Sequence, residues 1–135
     1  MNLNLVLSVV GQIIKALGYI MLSPLLIILI YNEPYGNMVN FLIPAALCLL
    51  LGNYLSKSGY DPEDMHAVEG FMVVALSWLI MSLIGCFPFL LSGELQSFSD
   101  AFFETASGFS TTGATVFTDV EIVSNSILFW RSLTQ

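Results

Sequence analysis

Phe102-Phe103-Glu104-Thr105-Ala106-Ser107-Gly108-Phe109 runs directly into Ser110-Thr111-Thr112-Gly113-Ala114-Thr115, a hydroxyl-rich loop broken by glycine and set between two apolar stretches. These residue types suit the replacement of water around a monovalent cation. Backbone carbonyls can stand in for a hydration shell, and glycine permits dihedrals that aim successive carbonyls inward without a Cβ clash. Thr111, Thr112 and Gly113 are the candidate carbonyl donors. Ser110, Ala114 and Thr115 would support them, with threonine and serine hydroxyls anchoring the loop or adding an oxygen at its mouth. Short Thr/Gly clusters are also common in surface loops, and composition alone leaves both readings open.

Glu104 and Arg131 form a second candidate constellation, the one in a short helix before the loop, the other about a turn into the next apolar helix. Ionisable residues at membrane depth usually pair. A Glu104–Arg131 ion pair would fix the short helix against the following one; the alternative is that each side chain reaches the outer interface independently.

Enzymatic chemistry fits the same residues poorly. Gly108-Phe109-Ser110-Thr111-Thr112-Gly113 is not a G-x-S-x-G nucleophile elbow, and His66 is the sole histidine. Gly108 and Gly113 have the four-residue gap of a phosphate-binding loop, but Ala114-Thr115 stands where Lys-Ser or Lys-Thr is required. His66 with Asp61, Glu63 and Asp64 reads better as a solvated helix start than as a metal site. The chain is therefore expected not to be an enzyme.

The elements that must position the loop are read from hydropathy. Apolar runs extend from Leu3 to Tyr31, from Met38 to Leu55 and from Gly70 to Leu91, and about 20 apolar residues cross a hydrocarbon core. The first run lacks the basic flank of a signal peptide, so an uncleaved membrane helix is expected, with Lys15 snorkelling or facing a neighbour. Asn32, Glu33, Pro34, Gly36 and Asn37 make a tight turn that pairs the first two runs as a hairpin spanning 1–60. Asp61 as N-cap and Pro62 at the first helical position, followed by Glu63 and Asp64, predict the start of the third helix, about 66–91, with Pro88 loosening its last turn. Ser97 or Ser99 can cap a short helix over 99–107, with Asp100 in its first turn and Gly108 turning the chain out of it into a loop over 110–115. Carbonyls left open at that helix end would carry negative partial charge toward the ion. Another helix starts near 126. A short helix dipping into the membrane and a loop returning from it form a re-entrant element, since irregular backbone is tolerated at such depth only where protein buries it or water meets it.

Composition agrees. Of 135 residues 56% are hydrophobic and 10% charged, with a mean hydropathy of +0.83, against about 25% charged in soluble domains. Ten acids face three bases, Lys15, Lys57 and Arg131, too few for a nucleic-acid footprint. Segments 32–37 and 92–126 hold no Lys or Arg, so the positive-inside rule places the amino terminus and the loop around Lys57 in the cytoplasm. Cys48 and Cys86 lie inside apolar runs and read as buried hydrophobes rather than a disulfide.

Asp100-Ala101-Phe102-Phe103-Glu104 followed by Ser107 to Thr115 resembles the first pore loop of the Trk/Ktr/HKT potassium transporter superfamily, TrkH-type subunits above all. Glu69-Gly70-Phe71 and Ile127-Leu128-Phe129-Trp130-Arg131 add to the likeness, which covers 69–135 closely, is specific over the pore loop and is only a matching hydropathy pattern over 1–60. The resemblance implies an all-α membrane protein: an amino-terminal transmembrane hairpin, then one incomplete repeat (61–135) of membrane helix, pore helix, re-entrant filter loop and membrane helix, the first of four around one pore. Thr111, Thr112 and Gly113 would then line a potassium filter, a potassium ion being the cargo. Members of the plant HKT branch that prefer sodium carry serine at the position of Gly113, so potassium is expected. Also implied are the remaining pore repeats, a homodimer, a cytosolic nucleotide-binding regulatory subunit and a bacterial inner (plasma) membrane location. An alternative is a small multispan assembly or anchor protein that carries no ions itself.

Overall fold

The computed structural model describes residues 2–57 and 65–135, and every regular element among them is helical. Helix α1 (Leu3–Ile20) is capped by Asn2, whose Oδ1 accepts from the Leu5 amide at 3.3 Å. The first apolar run, expected as one uninterrupted helix, then breaks: the chain turns through Met21–Ser23 and restarts as α2 (Pro24–Ile30). Pro24 has no N–H to give to the Ile20 carbonyl. The Ser23 amide at 3.0 Å and the Ser23 hydroxyl at 2.7 Å take that acceptor instead. Asn32, at φ +51°, ends α2, and the Glu33 amide closes back on the Ile28 carbonyl at 3.0 Å.

A 3₁₀ turn (Tyr35–Met38) leads into α3 (Val39–Leu55), which returns alongside α1. The two approach closely because Gly11, Gly18 and Gly52 have no side chain: a Cβ on Gly52 would lie 2.8 Å from the Gly11 carbonyl, and one on Gly18 2.9 Å from the Cys48 Cβ. Small residues at such crossings let membrane helices pack backbone to backbone.

Helix α4 (Ala67–Gly85) has His66 as its N-cap in a reciprocal box with Glu69. The expected capping by Asp61, Pro62, Glu63 and Asp64 lies outside the described residues. Glu69 also accepts the Asn2 amide at 3.2 Å, joining the starts of α1 and α4. The third run is interrupted at Cys86, where it passes into a separate short helix, α5 (Phe87–Leu91), with Pro88 in its first turn. Helix α6 (Phe98–Phe109) follows with Ser97 as N-cap, then a loop, then α7 (Asn125–Thr134) after Ser124.

Leu3–Ile30, Tyr35–Leu55 and Ala67–Leu91 are each long and apolar enough to cross a membrane. Helices α3 and α4 are apolar on all sides, which suits lipid or a protein interior and not water. Leu50, Phe71 and Val74 are indeed largely exposed on their outer faces. The buried side chains (Val6, Ile14, Phe41, Cys48, Phe89, Trp130) face inward between the helices, and both cysteines are unbridged. Asn2 and Glu69 meet at one end of the bundle, and Ser56, beside Gly11, lies in the same half; Glu33, Glu94 and the start of α7 lie at the other end. The spans thus run up, down and up.

Candidate functional site

Helix α6 and the loop after it fold as one unit. The helix closes through a Schellman arrangement, with the Thr112 amide on the Ser107 carbonyl at 2.9 Å and the Thr111 amide on the Gly108 carbonyl at 3.0 Å. Thr111 occupies the left-handed position at φ +57°, where glycine or asparagine is usual and a β-branched residue is strained by about 1–3 kcal/mol. This corrects the expectation that Gly108 turns the chain out. Gly108 lies inside α6, buried against α7, where a Cβ would stand 2.6 Å from the Thr134 Oγ1. The helix therefore extends to Phe109. Its last carbonyls are also not open as expected, because Ala106, Ser107 and Gly108 all accept amide donors from the turn.

Beyond the turn the chain runs back along α6. The Ser107 hydroxyl donates to the Ala114 carbonyl at 2.7 Å, and one turn earlier the Glu104 carboxylate receives the Thr115 hydroxyl at 2.9 Å and the Val116 amide at 2.9 Å. A further link, Ser110 Oγ to Thr112 Oγ1 at 2.8 Å, ties the loop's near side together. Among the described residues no donor meets the carbonyls of Thr111, Thr112 or Gly113. Gly113, like Thr111, has positive φ, +77°, and no atom would meet a Cβ there within 4 Å. The residues from Ser110 to Thr115 are exposed.

Glu104 holds this loop to α7 as well, since Arg131 Nε donates to its Oε1 at 2.7 Å. The carboxylate has no solvent exposure, while the arginine keeps 19%. Helices α6 and α7 lie side by side and parallel, as Glu104 meets Arg131 and, one turn on, Gly108 meets Thr134. Gly85 of α4 completes the packing. A Cβ on it would be 2.8 Å from Thr105 Cγ2, and its carbonyl accepts Trp130 Nε1 at 3.0 Å.

A family model described as TrkH, cation transport protein, matches residues 37–135. The chain belongs to the TrkH family. The relatives of this TrkH-family chain include an uncharacterized cation transporter of Methanocaldococcus jannaschii, 37% identical over 96% of this chain and 27% of its own length. The Trk system potassium uptake protein TrkH of Escherichia coli K12 is 30% identical over the whole chain and 28% of its own length. The crystal structure of the potassium transporter TrkH from Vibrio parahaemolyticus superposes with a TM-score of 0.88 at 29% identity, covering 99% of this chain and 29% of that one. This chain thus spans a little over a quarter of the relatives it matches. TrkH-family proteins are ion transporters and not enzymes, and the all-helical, multi-pass architecture is theirs.

Two acids in the connecting segments, Glu33 and Glu94, also serve the TrkH-family fold. Glu33, in the turn after α2, accepts the Ser126 amide at 3.2 Å and the Ser126 hydroxyl at 2.7 Å. Glu94 accepts the Ser124 amide at 3.2 Å. Both carboxylates meet the amide end of α7, where negative charge is favoured. Acids within otherwise basic-free turns at this end were the only sequence signal available.

Proposed function

We propose that this chain provides the first of four filter segments in a potassium uptake protein, with Thr111, Thr112 and Gly113 giving their carbonyls to a dehydrated potassium ion. The observation that carries this reading is the stretch of donor-free carbonyls in a loop pinned from behind by Ser107 and Glu104. Positive φ at Gly113, which glycine alone adopts without a Cβ clash, supports it further. In this reading α6 enters the membrane from the end that carries Glu33 and Glu94, and residues 112–117 return toward it, making the element re-entrant. Ser110, Ala114 and Thr115 support the row, and the Glu104–Arg131 pair holds it against α7.

The same reading places the protein in the bacterial inner membrane with its amino terminus in the cytoplasm. It gives the protein its remaining pore repeats, a second copy and a cytosolic nucleotide-binding regulatory subunit as partners, all on the strength of the family likeness. The test is flux through the full-length protein in liposomes. Gly113→Ser should lower potassium uptake relative to sodium, and Gly113→Val should abolish potassium uptake because positive φ is costly to a branched residue. Residues 1–135 alone should pass no ions, a single segment being unable to encircle one. Undiminished flux in Gly113→Val would leave only a packing role for the loop.

A further inference from the structure

We propose that Glu33, in the amino-terminal hairpin, is a positioning residue for the pore loop, acting through α7. The proposal rests on the reading of Thr111–Gly113 as a filter segment. A continuous series of contacts links Glu33 to the loop. Glu33 is half-buried, held by Asn37 Nδ2 at 3.5 Å, and closes both oxygens on Ser126 in the first turn of α7. Ser126 is itself 1% exposed, so water does not replace the carboxylate readily. One turn further, the hairpin touches α7 again, where the Phe41 ring of α3 meets the Trp130 ring edge-on with centroids 6.5 Å apart. Arg131 is the next residue, and its Nε carries the contact to Glu104, which holds Thr115 and Val116 of the loop.

Ser126 and Arg131 lie about a turn and a half apart on the same helix α7, so the helix start and its arginine move together as a rigid rod. A shift or rotation of the helix start is delivered to the Arg131 guanidinium undiminished. The hairpin is thereby the surface that sets how far Arg131 reaches toward Glu104, and so where the loop stands. Glu94 caps Ser124 independently from the α5–α6 connection, so removing Glu33 leaves α7 a cap and spares the fold.

The experiment uses the full-length protein in liposomes, with potassium and sodium uptake normalised to folded protein eluting as a single species. In Glu33→Ala the potassium-to-sodium ratio should fall roughly three- to tenfold, the scale of a lost helix-terminus charge interaction, while folded yield is kept. Glu33→Gln, which retains one acceptor oxygen, should fall between. In a Glu104→Ala background, where no acceptor remains for Arg131, Thr115 and Val116, Glu33→Ala should produce no further fall, because the path from α7 to the loop is already cut. An unchanged ratio in Glu33→Ala, or full additivity with Glu104→Ala, overturns the proposal. Should Glu33→Ala yield no folded protein, Ser126→Ala tests the same link, with a smaller fall expected and an unchanged ratio again overturning it. If Gly113→Ser shifts the ratio and Glu33→Ala does not, only the role of Glu33 fails; if Gly113→Ser has no effect, the filter reading itself fails.

Discussion

A carboxylate with no exposure survives at Glu104 only because Arg131, the Thr115 hydroxyl and the Val116 amide converge on it. Stranding a buried charge costs roughly 3–5 kcal/mol, whereas a charge that can still reach water loses much less. The two partners differ in this respect, so their substitutions should differ too. Arg131→Gln leaves Glu104 buried without its cation and should destabilise the protein by about 3–5 kcal/mol. Glu104→Gln leaves an arginine that is 19% exposed and free to turn toward solvent, and should cost less, about 1–3 kcal/mol. Unfolding of both variants in detergent checks the order. Equal losses would show that the pair is solvated on both sides.

Among the elements, the three long apolar runs were legible from the sequence because lipid demands them residue by residue. The interruptions at Met21–Ser23 and Cys86 were less visible, since Pro24 and Pro88 sit inside runs whose hydropathy never drops. What hydropathy could not show is which residue turns the chain after α6. Gly108 has the right type, but its small size is used one layer away, against Thr134, and Thr111 takes the strained position instead. The caps from Glu33 and Glu94 join residues 93 and 30 positions apart, a separation that no local pattern encodes. Gly108→Ala should therefore act through packing. A destabilisation of about 1–3 kcal/mol is expected, relieved in part by Thr134→Ala, which removes the nearest atom. If Gly108→Ala melts like the parent protein in detergent, the close approach of α6 and α7 is looser than described.

At the scale of the whole molecule, Asn2 and Glu69 mark one end of the bundle, with Ser56 and Lys57 at the end of α3 in the same half, and the other end carries Glu33, Glu94 and the start of α7. Exposed Tyr31 and Tyr35 sit at the second end and exposed Tyr54 near the first, as aromatic side chains do at membrane–water boundaries. The proposed orientation puts the first end, with its basic residue, in the cytoplasm. In intact cells a membrane-impermeant maleimide should label Tyr35→Cys and leave Lys57→Cys unlabelled until the membrane is opened. The reverse pattern would invert the topology and put the loop on the wrong side for uptake.

The parallel contact of α6 with α7 has a mechanical consequence. An acid–base pair and a glycine–threonine notch, set one helical turn apart, can be satisfied together at a single register. Sliding α7 along α6 by less than a turn would break the first and jam the second, so a displacement of α7 carries α6 and its loop along with it.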